Sequence, residues 1–230
     1  MKLPRLLQHL HQTGQEACPI DFRGQGCAKV DLSRTNQALA HWPASPGPLL
    51  DGYIQAEMVG HKTAFLWGGY AEDRDVYRLS PNFHTSADPR SIHLGIDIWA
   101  KAGTPVWAAL PGVIHSVADN AGLGNYGGTI IVAHGVAGLG FCSLYGHLSL
   151  HSLAGWQPGQ AVQAGQRLAE LGQPTENGGW SPHLHFQIIE DLLGRYGDFP
   201  GVAAKAEQAH YLAICPDPDL LLGLSAKAGG

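Results

Sequence analysis

The chain carries little charge. Asp, Glu, Lys and Arg make up 14% of its 230 residues and the formal net charge is −5, against the roughly 25% charged residues usual in soluble domains. A disordered chain has the opposite balance, rich in charge and poor in apolar residues; here 44% of residues are apolar, enough to bury a core. No run of Lys and Arg marks a nucleic-acid surface or a polybasic membrane anchor. No stretch approaches the ~18 apolar residues of a membrane span. The opening MKLPRLLQHL starts like a secretory leader, but its apolar run stops at His9, short of the about 7–15 residues such a leader needs. The expectation is a soluble, cytoplasmic protein. The cysteines, Cys18, Cys27, Cys142 and Cys215, form no C-x-x-C pair, which leaves neither a zinc knuckle nor a redox motif and predicts free thiols. No internal repeat is present.

What the chain has in quantity is turn formers, 31 glycines and 15 prolines. So many breakers favour short strands over long helices. Leu3, Leu6, Leu7 and Leu10 have helical spacing and predict a short amphipathic helix. The rest of an N-terminal extension, residues 1–60, reads as irregular, with Pro19, Gly24, Gly26, Pro43, Pro46 and Pro48 along it. From residue 61 short alternating runs follow one another between glycine turns: 91–99, 105–110, 113–117, 129–134, 141–148 and 183–189. They predict an antiparallel β domain over 61–200. Residues 201–230 read as a C-terminal helix and tail, with a helix over Ala203–Ala213 stopped at Cys215-Pro216-Asp217-Pro218 and Leu220–Leu222 packing against the body.

Thirteen histidines are many for this length. His183 and His185 sit two apart on a predicted strand, so their imidazoles share a face. His93 and Asp97 would lie ~13 Å apart on a straight strand; a bend at Gly95 brings them together. His-plus-carboxylate is a common catalytic zinc set. His93, Asp97, His147, His183 and His185 all fall on the polar faces of strands whose other faces are apolar. There is no H-E-x-x-H, so a glutamate base on a metal-binding helix is not on offer. His134 reads as structural, and His84, His115 and His151 as surface. Trp99 and Trp107 read as packing residues. Arg74, Asp75, Tyr77 and Arg78, just upstream of these residues, read as a solvated turn, with substrate binding as the alternative. Asn125 and Tyr126, on the loop Gly122–Gly128, either line a cleft or simply make a turn.

In order, His93-Leu94-Gly95-Ile96-Asp97, Gly103-Thr104-Pro105-Val106, Gly112-Val113, Tyr145-Gly146-His147-Leu148 and His183-Leu184-His185-Phe186 resemble the lysostaphin/LytM-type zinc metallopeptidases. The resemblance covers roughly residues 91–190. It implies a mainly β fold, an antiparallel, barrel-sandwich-like sheet with an open cleft and short flanking helices. It implies zinc on His93, Asp97 and His185, and catalytic roles for His147 and His183 beside the metal. Tyr126, Asn125 and Trp180 are then candidates to bind substrate. The expected activity is zinc-dependent hydrolysis of a peptide or amide bond, with histidine in place of a glutamate acid/base. Glu176–Pro182 is longer and bulkier than such a protein needs before H-x-H. With Asp198–Gly201 and Cys215–Pro218 it is similar to a cytoplasmic subgroup joined to kinase-like and class III aminotransferase domains. That implies a small-amide substrate and a kinase or aminotransferase partner as an alternative. A non-catalytic module that binds peptide or another subunit is the third reading. No nucleic acid and no membrane are expected as partners.

Overall fold

Turns set the length of every strand in this chain. A computed structural model of the protein describes residues 2–22, 24–39, 47–79 and 89–227. His84, Pro43 and Pro46 lie outside the described residues, as does the side chain of Arg78. The elements run α1 (Leu3–Gln12), β1 (Ala28–Lys29), α2 (Gly47–Gly60), β2 (Leu66–Gly68), β3 (Arg90–His93), β4 (Ile96–Trp99), β5 (Pro105–Trp107), β6 (Gly112–Asn120), β7 (Gly127–Val136), β8 (Leu139–Leu148), α3 (Leu150–Leu153), β9 (Ala161–Val162), β10 (Arg167–Glu170), β11 (His183–Ile189), β12 (Val202–Ala204), α4 (Gln208–Ile214), α5 (Asp219–Leu222) and α6 (Leu224–Lys227).

Eight strands form one sheet in the order β1-β2-β4-β11-β8-β7-β6-β9. All its pairings are antiparallel except β1 with β2. Two small ribbons, β5 with β10 and β3 with β12, flank it. The fold is mainly β, as the alternating runs predict; the sheet is open and does not close into a barrel.

The central strands β4 and β11 are buried along their whole length. One face carries Ile96, Ile98, Leu184, Phe186 and Ile188, packed with Leu3, Leu6, Leu7 and Leu10 of α1 and with Leu221, Leu222 and Leu224. The leucine spacing thus does produce α1, and its apolar stripe belongs to the main core. The opposite face holds the functional side chains and is covered by two further clusters, one around Trp99, Tyr77, Leu50 and Ile54, the other around Ile92, Leu94, Phe199 and Cys215. The four cysteines form no disulfide, as expected. No helix among the described residues is long and apolar enough to cross a membrane.

Two stretches differ from the sequence reading. Residues Gly47–Gly60 form a helix inside the stretch read as irregular; Pro48 falls in its first turn, where a missing N–H costs nothing. The helix expected over Ala203–Ala213 is α only from Gln208 to Ile214. Val202–Ala204 instead pairs with β3, Val202 against His93 and Ala203 against Ile92. A free sheet edge satisfied by that pairing outweighs alanine's helix propensity, which is a weak preference.

Candidate metal centre

Strand register brings the site together. Across the sheet, Gly68, Asp97, His185 and Gly146 occupy one row, with Asp97 and His185 direct neighbours on β4 and β11. His183, two residues before His185, faces Trp99 on β4, and the two rings stack with centroids 5.5 Å apart. His93 arrives from β3 through the break at Leu94–Gly95. Gly95 is there for space: a Cβ on it would stand 2.7 Å from the Phe186 carbonyl oxygen and 2.8 Å from His185 Nε2. Gly146 likewise leaves room for the Tyr126 ring, whose Cδ1 would lie 2.5 Å from an added Cβ. His147 follows it with φ +63°, a conformation that L side chains rarely adopt and that a folded site must impose.

Every imidazole is oriented by a hydrogen bond at its other nitrogen. His93 Nδ1–H donates to Gly69 O at 2.9 Å, His183 Nδ1–H to Ser181 O at 2.7 Å and His147 Nδ1–H to Asn177 O at 2.9 Å. His185 Nε2–H donates to Gln187 Oε1 at 2.9 Å, while Gln187 Nε2 donates to Pro200 O. These bonds fix the tautomers. His93 Nε2 and His185 Nδ1 are therefore lone pairs, yet they lie 3.0 Å apart, and each is 3.2 Å from Asp97 Oδ1. Three acceptors face one another with no proton between them. Such a cluster is repulsive unless a cation sits in it. Ligands at about 2.0–2.1 Å around a tetrahedral zinc are ~3.3 Å from one another, so the spacing and chemistry of these donors fit zinc.

Electrostatics keep His93 neutral and Asp97 ionised. Burial, then the Arg74 guanidinium, pushes His93 down to about 4. Burial also pushes His147 and His183 below the ordinary histidine value. Burial acts to raise Asp97, but its neighbours His93, Arg74 and His183 overcome it, with the Arg74 guanidinium bonded to Oδ2, and hold the carboxyl well below its usual range. Neutral imidazoles beside a carboxylate form the protonation state that binds metal.

The expected residues all come together. His93, Asp97 and His185 form the described residues' candidate metal cluster. His147 and His183 lie beside it, ring centroids 4.2 Å apart, with His183 Nε2 3.7 Å from Asp97 Oδ1, and both line a cleft of about 560 Å³. Tyr126, Asn125 and Trp180 line that cleft. Asn125 also organises the loop, its Oδ1 accepting the Tyr126 N–H and its carbonyl accepting Trp180 Nε1–H at 3.2 Å. Trp180 reaches Tyr77 edge to face at 6.1 Å. His134 is structural, bound to Pro111 O and Ser143 Oγ.

One expectation is overturned. Arg74 and Tyr77 are not a solvated turn: they are 2% and 6% exposed, and Arg74 Nη1 donates to Asp97 Oδ2 at 2.6 Å and to Tyr77 Oη at 2.9 Å. The sequence reading also missed Gly69 and Gln187. In a chain so poor in charge, the tight Glu72-x-Arg74 pair just upstream of the histidines was the available signal.

Residues 91–196 match the model of peptidase family M23. The matched segment holds all five site residues. Among curated relatives, the chain is 31% identical over 120 residues to the peptidoglycan DD-endopeptidase ShyC of Vibrio cholerae, covering 50% of this chain and 25% of that one. It is 34% identical over 111 residues to the DD-carboxypeptidase/endopeptidase Mpg of Neisseria meningitidis, covering 48% and 22%. The chain thus spans about a quarter of the length of these relatives. Among solved structures, the catalytic domain of lysostaphin from Staphylococcus simulans aligns at 22% identity and TM-score 0.36, covering 63% of this chain and 87% of that one.

Proposed function

We propose that the protein is a zinc-dependent metallo-endopeptidase whose ion is held by His93 Nε2, Asp97 Oδ1 and His185 Nδ1. The observation that carries this is the trio of unprotonated donors within 3.2 Å of one another, tautomers fixed from behind. The family match and the peptidoglycan-cleaving relatives support the same reading. A zinc ion supplies a Lewis acid that polarises a scissile carbonyl and makes water acidic enough to attack at neutral pH. The chain's own residues supply the rest. His147 and His183 line the cleft, each with an Nε2 lone pair, and one accepts a proton from the attacking water and passes it to the leaving amine. Their carbonyl partners, Asn177 O and Ser181 O, stabilise each ring as it becomes positive. Tyr126, Asn125 and Trp180 are assigned to the cleft wall that receives substrate.

The test is metal content and peptide hydrolysis together. About one zinc per chain, lost in His185→Ala, with hydrolysis abolished by a chelator and restored by zinc, is expected. Hydrolysis that survives chelation refutes the reading.

A second reading concerns substrate. Leu32 and Leu50, from the N-terminal stretch, line the same cleft as Trp180 and Tyr77. Ser181 Oγ also donates to Asp51 Oδ1 at 2.7 Å, tying α2 to the cleft rim. A cleft walled on that side favours a short peptide or small amide over a wall polymer, and the cytoplasmic setting and the kinase or aminotransferase partner implied by the sequence belong with it. A substrate panel decides: turnover of cross-linked wall fragments and none of small amides selects the endopeptidase of peptidoglycan, and the reverse selects the small-amide hydrolase.

A further inference from the structure

Asp97 has two oxygens with different surroundings. Oδ1 faces His93 and His185, each at 3.2 Å, and is the oxygen assigned to the metal. Oδ2 accepts a hydrogen bond from Arg74 Nη1 at 2.6 Å. Charge-assisted bonds of this length are the strong kind, so Oδ2 is occupied before any ion arrives.

Arg74 is itself held on several sides. Its Nε donates to Glu72 Oε2 at 2.6 Å and its Nη1 also to Tyr77 Oη at 2.9 Å. Its guanidinium lies over the Tyr77 and Trp99 rings at 5.8 Å and 5.9 Å. Its Nη2 is buried with no hydrogen-bond partner and occupies the space of an absent side chain: a Cβ on Gly69 would lie 1.8 Å from it. Gly69 adopts φ +101° and its carbonyl accepts the His93 Nδ1–H. The one glycine therefore seats Arg74 and orients His93. Glu72 Oε1 accepts the Leu32 N–H at 3.2 Å, and the Glu72 carbonyl accepts the His93 N–H at 3.0 Å. The chain of contacts runs from the N-terminal stretch through Glu72 and Arg74 to Asp97.

A buried guanidinium with one nitrogen unsatisfied is expensive to keep. Packing alone does not call for it, since an apolar side chain would fill the same space without that cost.

We propose that Arg74 is a positioning residue: by occupying Asp97 Oδ2 it makes Asp97 a one-oxygen ligand, and through Glu72 it makes the N-terminal stretch part of the metal site. The inference rests on the zinc reading above. Partners behind metal ligands set ligand orientation, and their loss lowers metal affinity about 10–100-fold.

The experiment compares wild type, Arg74→Met, Arg74→Lys and Glu72→Gln as full-length chains. Folding is checked by circular dichroism, zinc affinity by competition with a chromophoric chelator, and coordination by the visible spectrum after cobalt replaces zinc. Arg74→Met is expected to bind zinc about 10–100-fold more weakly. Its cobalt form is expected to absorb less intensely, because Asp97 then binds through both oxygens and the coordination number rises. Arg74→Lys should fall between Met and wild type, since an ammonium keeps the charge but not the planar fork. Glu72→Gln keeps the guanidinium and loosens its anchor; a smaller loss in the same direction is expected. A folded Arg74→Met with unchanged or tighter zinc binding and a wild-type cobalt spectrum overturns the proposal. If Arg74→Met does not fold, Glu72→Gln decides, and unchanged affinity and spectrum there overturn it. Wild type that binds no zinc overturns the zinc reading itself, and this inference falls with it; wild type that binds zinc beside an unaffected folded Arg74→Met sinks the role of the arginine alone.

Discussion

Gly95→Ala adds one methyl group at the place where β4 and β11 hold the metal donors together. The new Cβ would stand 2.7 Å from Phe186 O, 2.8 Å from His185 Nε2 and 2.9 Å from His185 Cε1. Ordinary contact between such atoms begins near ~3.4 Å, so one partner must retreat by about 0.6 Å. Neither has room to do so freely. Phe186 pairs with Ile96 in the sheet, and His185 Nε2–H is bonded to Gln187 Oε1. Metal–ligand distances tolerate roughly ±0.2 Å, a third of the required shift. A zinc affinity about 10–100-fold weaker is expected, the range seen when ligand orientation is disturbed. Overpacking should also cost about 1–3 kcal/mol, which for a chain of this size lowers Tm by roughly 2–12 °C. Chelator competition and a thermal melt measure both. Gly135→Ala is the control, because its Cβ would meet nothing within 4 Å. Gly95→Ala with the zinc affinity and Tm of that control would refute the claim that this glycine is needed for close approach at the site.

Other perturbations separate the roles assigned above. His147→Ala and His183→Ala should each lower kcat by about 10²–10⁴ while zinc stays bound; loss of zinc in either would move that residue into the ligand set. Gln187→Ala removes the acceptor of His185 Nε2–H and should weaken zinc about 10–100-fold, read by the same chelator competition. Leu7→Ala opens a cavity in the main core where Leu7 is fully buried, and should lower stability by about 2–5 kcal/mol in denaturant titration; a loss under about 1 kcal/mol would show that α1 is not part of the core. Burial holds His134 below its ordinary value, against the opposing effect of its bond to Pro111 O. The unfolded chain therefore takes up a proton first as pH falls below about 6.5, and stability present above that value is lost on acidification. His134→Gln should make the decline from neutral pH toward pH 5 shallower than in wild type, by at most about 1.4 kcal/mol per pH unit; parallel slopes would count against a neutral buried His134.

How far the sequence exposed this site depends on how local the cause of each feature is. The period of two in 91–99 and 183–189 follows from the pleat, so the strands and the faces of His93, Asp97, His183 and His185 could be read directly. Gly95 could be read as a bend because the His93–Asp97 separation on a straight strand is too long for one metal. The choice of His185 over His183 as ligand came only with the resemblance. In the structure the register places His185 opposite Asp97 and His183 opposite Trp99, which favours the same choice. Register is set by contacts between segments some ninety residues apart, and no local pattern encodes it. The same applies to Arg74. Its neighbours Asp73, Asp75 and Arg78 give its segment the composition of a solvated turn, and only the arrival of β4 beneath it supplies Asp97 as a partner. Val202–Ala204 became a strand for a similar reason, because β3 offered an edge. What escaped the sequence reading is thus the set of groups whose partners lie on other elements. Gly69, Arg74 and Gln187 all belong to it, and all three stand directly behind the residues assigned to the metal. Ligands are exposed by their residue type and spacing, while the groups that aim them are ordinary residues made specific by tertiary contact.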